Sequence, residues 1–332
     1  MVNSLSNLIS SDTESGLEMQ CLPLPHTSAH VDLQILDGGS FTANESKVVE
    51  GAKDKEHCVP DWAFFVKDHE SGRQLLWDYG LSEDKEEFTP FVQQNLFGEL
   101  RPCSPPKSVA QQIVERNALA LDELGTIIFS HAHWDHCRPF WKDFSRATAF
   151  FGPGTFEHCQ PGHLKDPSAQ WDGRIFDVPA GLEKCQELQG PWVPFGPFEH
   201  AMDFFGNGSF WVIQAPGHMP GNLIAAARLS TGIWVIMAGD CCHARQIYEG
   251  LGDFAVFTLP GGHKACLQAD IPAAKDTLKR IKAFEGAYGA KVCLAHDATW
   301  MLHGSTDETL ISFVSEAVRE AFQSALSIGE KQ

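Results

Sequence analysis

The segment His131-Ala132-His133-Trp134-Asp135-His136 lies one residue after the apolar run 126–129. Three imidazoles and one carboxylate in six residues form a dense set of metal ligands, in a chain that has only 15 histidines among 332 residues. In an extended or turning segment, His131 and His133 point to the same side, whereas Asp135 and His136 address a second point further along. The spacing therefore suits two adjacent ions better than one.

Three isolated candidate ligands stand elsewhere in the chain, each a few residues after a β-type run. They are His218 in a Pro-Gly-His turn, Asp240 in an Ala-Gly-Asp segment, and His296 in a Leu-Ala-His segment. Strand ends that face one way are where an α/β sandwich gathers its chemistry. These three residues are therefore candidate ligands at the same edge of the sandwich as the 131–136 segment.

The balance of charged side chains indicates which classes of binding partner to expect. The chain has 25 basic and 43 acidic side chains and a formal net charge of −18. Because DNA and RNA binding relies on Lys and Arg that neutralise phosphates, a nucleic-acid partner is disfavoured. We expect a small-molecule partner, and a homodimer is compatible with the sequence.

The sequence also indicates a compartment. Residues 1–19 lack the basic region and the apolar run of a secretory signal, and no apolar stretch is long enough to cross a bilayer. Ten cysteines are spread through the chain without a CxxC pair, which is typical of reduced thiols. We therefore expect a cytoplasmic protein without membrane attachment.

The chain divides into an arm and one domain. Residues 1–30 are rich in Ser, Asn and Thr without periodicity, which predicts a loosely ordered N-terminal arm, and 31–332 reads as a single domain. Within it, 152–209 is rich in Gly and Pro and predicts an irregular, pocket-forming insert. Six aromatic side chains in or beside this insert either fill the core or line an apolar pocket: Phe150, Phe151, Trp171, Trp192, Phe195 and Phe198.

Local patterns predict the elements of this domain. The β-type runs are 31–36, 62–66, 75–77, 126–129, 148–151, 210–214, 223–229, 233–237 and 291–295. We expect the first strand to end at Gly38-Gly39 and 42–58 to be a loop. Helices are predicted over 108–118, from a cap at Asp270 to a stop at Gly286, and after Ser305, which has capping-box spacing to Glu308.

The order of the motifs resembles that of the metallo-β-lactamase superfamily: HxHxDH, then a PGH turn at 216–218, then GD at 239–240, then a late histidine. The resemblance extends from residue 31 over most of the chain. Within the superfamily the sequence is most similar to dinuclear zinc lactonases that open N-acyl homoserine lactones. The segments 205–210 and 225–228 also resemble a fungal group of lactonase or lactamase-type hydrolases. This resemblance implies an α/β fold, namely an αββα sandwich with the centre at one edge.

The resemblance also implies a ligand set. It assigns His131, His133 and His218 to one metal and Asp135, His136 and His296 to a second, with Asp240 bridging the two. Zinc fits a mixture of imidazole and carboxylate ligands, and iron and manganese are the alternatives. His133 stands where the oxygen-reducing diiron relatives normally have Glu, which favours hydrolysis over redox chemistry.

The chemistry of such a centre is consistent with hydrolysis. A water shared by two cations has a pKa far below that of bulk water, so hydroxide becomes available near neutral pH and the same ions polarise a carbonyl. We expect this hydroxide to open a small cyclic ester such as an N-acyl homoserine lactone, a quorum-quenching activity. The alternatives are opening of a cyclic amide such as a benzoxazolinone-type heterocycle, a detoxification, and thioester hydrolysis. A metal-poor relative that binds a ligand without turnover is the alternative outside enzymes.

Two residues are catalytic candidates. Asp135, a carboxylate beside the nucleophile, is placed to accept or relay a proton. The bacterial lactonases carry Tyr three residues after the bridging Asp, and this chain has His243 there. A histidine at this position donates to the oxyanion, protonates the leaving group, or has only a structural role. Asn222 replaces a histidine of many relatives at a position that is not usually a ligand, so we expect the metal site to be retained.

Overall fold

The computed structural model describes residues 19–117, 119–177, 184–259, 261–301, 310, 313–314 and 319. Its strands are β1 Val31–Asn44, β2 Glu56–Asp68, β3 Gln74–Trp77, β4 Thr126–Ile128, β5 Thr148–Phe151, β6 Cys185–Glu187, β7 Val193–Phe195, β8 Phe198–Asp203, β9 Phe210–Gln214, β10 Leu223–Arg228, β11 Trp234–Gly239, β12 Phe257–Thr258, β13 Lys264–Ala265 and β14 Lys291–Leu294. Its α-helices are α1 Glu45–Val48, α2 Pro90–Asn95, α3 Phe97–Leu100, α4 Val109–Asn117, α5 Thr155–His158, α6 Gly173–Phe176, α7 Arg245–Glu249 and α8 Ile271–Tyr288.

The strands form two six-stranded mixed sheets and one short hairpin. The first sheet has the order β1-β2-β3-β4-β5-β6, antiparallel through β3 and parallel from β3 to β6. The second has the order β14-β11-β10-β9-β8-β7, in which only β11 and β14 pair in parallel. Strands β12 and β13 form the hairpin.

The two sheets pack face to face, and helices cover their outer faces. Alternation along β1 sends Val31, Leu33 and Ile35 into a core between the sheets, where they meet Phe210 and Val212 of β9. Ile113 of α4 belongs to a second buried cluster outside the first sheet. Helix α8 packs with Ile281 and Phe284 in a third cluster outside the second sheet. The fold is the predicted αββα sandwich.

Strand β1 is longer than predicted. The prediction that it ends at Gly38-Gly39 was wrong, because β1 continues to Asn44 and absorbs the two glycines in a register shift between Asp37 and Ser40. A Cβ atom on Gly38 would lie 2.6 Å from the carbonyl oxygen of Asp61, so glycine permits this close approach. The predicted loop 42–58 was likewise wrong over much of its length, since it contains the end of β1, helix α1 and the start of β2.

The helix prediction near the C-terminus was correct at its start. The side chain of Asp270 accepts a hydrogen bond from Ala273 N at the first turn of α8, and Pro272 lies in that turn. The stop at Gly286 was wrong: α8 passes through Gly286 and ends at Gly289, which has φ +63° and donates to Glu285 O. The helix predicted after Ser305 falls mainly on residues outside the described ranges.

The two irregular regions have defined contacts where they are described. Residues 19–30 of the predicted arm form neither helix nor strand, but Leu22 N donates to Gly196 O and the hydroxyl of Thr27 donates to Asn207 O. The region 152–209 contributes α5 and α6, the edge strands β6 and β7, and strand β8, which pairs with both β7 and β9. Within the described residues, no helix combines the length and the apolar character that a membrane crossing requires.

Asp68, at the end of β2, joins the first sheet to the loop before β9. Its Oδ2 accepts hydrogen bonds from the backbone N–H of Ser71 at 2.8 Å and from the Ser71 hydroxyl at 2.5 Å. Its Oδ1 accepts from Asn207 Nδ2 at 2.9 Å and from Ser209 Oγ at 3.2 Å. Burial alone raises the pKa of this carboxyl, but the hydrogen bonds outweigh burial and the pKa is lowered.

Replacing Asp68 with Asn is expected to lower the free energy of unfolding by about 2 kcal/mol at pH 7, because the hydrogen bonds lose their charged acceptor. Since the folded-state pKa lies below the unfolded one, this stabilisation is fully present above about pH 4 and is lost as the pH falls through the folded-state pKa. Urea unfolding across this pH range measures the difference between wild type and Asp68→Asn. The exposed Glu50→Gln is the control, and a pH-independent difference would contradict the assignment.

Candidate metal centre

Four loops at one edge of the sandwich carry the candidate ligands. The 131–136 segment follows β4, His218 follows β9, Asp240 follows β11 directly, and His296 follows β14. The described residues contain two buried groups of potential ligands here, and both groups include Asp240. The structure therefore brings together all seven residues that the sequence singled out.

The first group consists of three imidazoles and one carboxylate oxygen. His218 Nε2 lies 3.2 Å from His131 Nε2 and 2.9 Å from His133 Nδ1. Asp240 Oδ2 lies 3.6 Å from His131 Nε2 and 3.5 Å from His218 Nε2. Ligand atoms about 3.3 Å apart are expected around a tetrahedral zinc with bonds of about 2.0–2.1 Å, so the spacing fits a zinc-sized ion.

The second group uses the other oxygen of Asp240. Asp240 Oδ1 lies 3.2 Å from His136 Nε2 and 3.1 Å from His296 Nε2. Asp135 Oδ2 lies 3.7 Å from His136 Nε2 and 3.5 Å from His296 Nε2. Asp240 Oδ1 thus faces the second group, whereas Oδ2 faces the first group and also lies 3.3 Å from His296 Nε2.

Three buried atoms of these groups lack a hydrogen-bond partner. They are His136 Nε2, His218 Nδ1 and Asp240 Oδ1. A buried polar atom without a partner costs free energy, and two of the three belong to the second group, where they face each other at 3.2 Å. A cation between them would satisfy both, so the residues present fit a metal ion.

Neighbouring groups orient the imidazoles from behind. Ser130 Oγ lies 3.0 Å from His131 Nδ1, and Pro60 O lies 2.9 Å from His296 Nδ1. Asp78 Oδ2 lies 3.0 Å from His136 Nδ1, and its Oδ1 accepts a hydrogen bond from Ser130 N at 2.6 Å. Such partners fix which ring nitrogen is free to bind a metal.

Sequence reasoning missed these supporting residues. Asp78 follows β3 directly and has φ +60°, a conformation that only Asp, Asn and Gly adopt readily. Its place at a strand end is the same signal that identified Asp240. Asp61, whose Oδ1 lies 4.0 Å from His136 Nδ1, sits inside β2 and gave no such signal.

The electrostatics of the two groups differ. Burial lowers the pKa of the His131, His133 and His218 imidazoles, that of His133 to about 4, so these three imidazoles are neutral at pH 7. Burial also disfavours a charged His296, but the carboxylates of Asp240 and Asp135 prevail and raise its pKa to about 9. The second group therefore attracts positive charge.

A cavity of about 320 Å³ opens over both groups. Its wall includes seven apolar side chains: Phe41, Val48, Val59, Leu96, Leu100, Trp134 and Leu267. Among the described residues of 152–209 only Gln170 lines it, and none of the six aromatic candidates does. Those candidates pack in the core or, for Trp171, stack on His133 with ring centroids 5.7 Å apart.

His243, the remaining catalytic candidate, lies beside the centre. Its Nε2 is 3.1 Å from Asp240 Oδ2, its ring stacks on that of His296 at 5.8 Å, and it lines the cavity. Gln268 Nε2 lies 3.4 Å from His243 Nδ1 and also donates to Asp240 O. Asn222 is buried and donates to Ala215 O, away from both groups of ligands.

Comparisons with known proteins agree with this fold. No protein-family model matches the chain. Among curated proteins, the chain is 27% identical over 313 residues to the "Cytochrome P450 monooxygenase mpaDE" of Penicillium roqueforti, which is 86% of this chain and 35% of that protein. The chain thus spans about a third of the length of the first relatives it matches, which are much longer proteins.

Two other relatives are closer in length. The chain is 26% identical to the "Metallo-hydrolase mfmC" of Annulohypoxylon moriforme, over 83% of this chain and 81% of that protein. It is 25% identical to the "Gamma-lactamase FDB1" of Fusarium pseudograminearum, over 66% of this chain and 55% of that protein.

Solved structures show the fold. An N-acyl homoserine lactone hydrolase with N-hexanoyl-L-homoserine at its catalytic metal centre aligns with a TM-score of 0.61 and 17% identity, covering 82% of this chain and 94% of that one. The dizinc quorum-quenching lactonase AidC aligns with a TM-score of 0.50 and 14% identity, covering 84% and 91%. The fold is that of the metallo-β-lactamase superfamily. In sequence the chain is similar to a metallo-hydrolase and to two gamma-lactamases, each less than 30% identical to it.

Replacing Asp78 with Asn is expected to weaken metal binding by about 10–100-fold, because His136 loses the carboxylate that orients its ring. Asn tolerates the positive φ of this position, so the backbone is retained. Competition with a chromophoric chelator measures the metal affinity, and the exposed Asp122→Asn is the control. Unchanged affinity in Asp78→Asn would show that Asp78 does not support the centre.

Proposed function

We propose that this chain is a dinuclear zinc hydrolase that opens small cyclic esters. One observation carries the proposal: Asp240 Oδ2 lies within about 3–4 Å of the first group of ligands and Asp240 Oδ1 lies within about 3–4 Å of the second. Asp240 would therefore be a ligand in both groups, and the metal ions would supply Lewis-acid chemistry at one end of the cavity.

In this proposal His131, His133 and His218 hold one ion, and Asp135, His136 and His296 hold the other. The donor set of imidazole and carboxylate suits zinc, and the structurally similar lactonase AidC is a dizinc protein. When bound, the ions lower the pKa of water and polarise a carbonyl oxygen.

Two side chains of the chain itself handle protons. Asp135 lines the cavity beside the second group, where its carboxylate accepts the proton of the attacking water and returns it to the leaving oxygen. His243 receives a hydrogen bond from Gln268 on Nδ1, which leaves the proton on Nε2, the nitrogen nearest Asp240. In this proposal that N–H is shared between Asp240 Oδ2 and the carbonyl oxygen of the substrate as negative charge develops there.

The cavity supports a substrate with an apolar part. Phe41 packs edge-on against His296 with centroids 4.9 Å apart, and Trp134 lies 5.8 Å from Phe41, so aromatic rings stand directly beside the ligands. The structural neighbours that hold N-acyl homoserine products support a lactone as the first substrate class, and with it a quorum-quenching role. The seven apolar side chains would contact the acyl portion.

Cyclic amides are the second candidate substrate class. Two relatives are named gamma-lactamases, MBL2 of Gibberella moniliformis and FDB1 of Fusarium pseudograminearum. The same centre serves amide opening if the leaving nitrogen is protonated, the task that His243 or Asp135 would perform. Detoxification of a heterocycle follows from this alternative. We propose the cytosol as its location, because the ten cysteines are spread through the chain without a CxxC pair.

Replacing Asp240 or His133 with Ala is expected to remove metal and activity together, because each replacement opens the ligand set. Wild type is expected to contain about two zinc equivalents per chain by elemental analysis, as two ligand groups imply. A pH-stat assay of N-acyl homoserine lactones, benzoxazolinone-type lactams and model thioesters measures hydrolysis. His200→Ala, at an exposed histidine, is the control, and undiminished hydrolysis in Asp240→Ala would overturn the proposal.

Replacing His243 with Phe is expected to lower kcat by about a hundredfold while zinc content stays at the wild-type value, because the side chain donates to the substrate and holds no ion. His243→Tyr is the matched variant, since a hydroxyl at this position restores a donor. Single-substrate kinetics and elemental analysis together separate the outcomes. Loss of one zinc equivalent in His243→Phe would make this residue a ligand, and unchanged kcat would leave it a structural role.

A further inference from the structure

A third group of potential ligands lies far from the cavity, where β1 begins and β2 ends. One donor atom from each of His30, Asp32 and His69 lies within 4.8 Å of the other two. The backbone N–H of His69 donates to His30 O at 3.1 Å, which continues the antiparallel pairing beyond Val31 and Asp68. The two imidazoles are therefore cross-strand neighbours, and their rings stack with centroids 4.3 Å apart.

The strand geometry places the carboxylate on the same face as the two imidazoles. Asp32 stands two residues after His30, so its side chain points to the same side of β1, whereas Val31 between them is buried. Asp32 Oδ2 lies 3.9 Å from His69 Nδ1. The side chains of His69 and Asp32 are 60% and 58% exposed, so packing does not prevent them from rotating toward a common ligand.

We propose that His30, Asp32 and His69 bind one divalent cation of the zinc class, separately from the buried centre. Two imidazoles and a carboxylate are donors that such ions prefer, and the strand pairing holds all three on one face. Small rotations of exposed side chains bring donors within 4.8 Å to the separation of about 3.3 Å that a zinc ion requires.

The neighbouring charges have opposite effects on this site. The net charge of −18 favours any cation near the surface. Lys67 is paired opposite Asp32 in the ladder and therefore stands on the same face, where its ammonium group opposes a bound cation. Replacing Lys67 with a neutral residue should therefore increase the affinity of this site for a cation. Non-specific binding elsewhere on the surface should depend less on Lys67.

A cation here would join two parts of the fold. The residues just before His30 are held by the second sheet, since Arg228 donates to Ala29 O at 3.1 Å and Thr27 donates to Asn207 O at 2.7 Å. Ligands from β1 and β2 would fix the point at which this segment enters the first sheet. Binding to the folded state alone would raise the free energy of unfolding.

Calorimetric titration of ZnCl₂ into the purified, metal-loaded protein tests the site. Wild type is expected to bind one further equivalent of zinc. His69→Ala is expected to bind it at least about tenfold more weakly, because a ligand is lost. Lys67→Ala is expected to bind it a few-fold more tightly, because a repelling charge is lost. His26→Ala, an exposed histidine of the preceding segment, is the matched control and should bind as wild type does. Anomalous diffraction at the zinc edge should place the ion between His30 and His69.

Two results would overturn the inference. One is that His69→Ala shows every zinc-binding event that wild type shows. The other is an anomalous peak elsewhere on the surface. Neither result bears on the buried centre, because elemental analysis and hydrolysis by His69→Ala report on that centre independently.

Discussion

The carboxylate of Asp240 is the group on which the rest of the site depends. It is almost fully buried, and its oxygens lie 3.1–3.6 Å from nitrogens of five histidines, namely His131, His136, His218, His243 and His296. An unpaired carboxylate at this depth costs several kcal/mol, so positive charge must reach it from more than one side. The four loops at this edge of the sandwich are arranged to meet that need. The same arrangement produces the two separate groups of ligands from which the dinuclear proposal follows.

The sandwich brings the four ligand-bearing loops together through close backbone contacts. Gly217 shows this most clearly: it has φ +137°, and a Cβ atom there would lie 2.4 Å from Ala274 Cα in α8. Only glycine allows the turn to lie this close to the helix, and the next residue, His218, takes its position from the turn. The packing of α8 on the second sheet therefore influences the first group of ligands, although α8 contributes no ligand itself. Packing and chemistry are coupled at this point of the fold.

Much of the architecture was predictable, because alternation of apolar residues reports burial on one face of a strand. Prediction from local sequence patterns fails where strand pairing or helix packing overrides those patterns. Gly38 and Gly39 looked like a strand end, but pairing with β2 carries β1 through them, and Gly286 looked like a helix stop, but α8 continues on the sheet. The aromatic side chains show the same limit. Core and pocket residues have the same composition, and the cavity takes Phe41 and Trp134 instead of the aromatic residues of 152–209.

The amino-acid sequence by itself determined the identity of the candidate ligands, their order, and their place at strand ends, because metal chemistry restricts the residue types and strand periodicity restricts the positions. Only the tertiary structure decided which atoms meet. His133 and His218 are 85 positions apart in the chain, yet their nitrogens lie 2.9 Å apart. The division of the Asp240 oxygens between two groups, the support from Asp78, and the surface group at His30 likewise depend on sheet packing and register. Such distances depend on the balance of contacts over the whole core, which no local stretch of sequence contains.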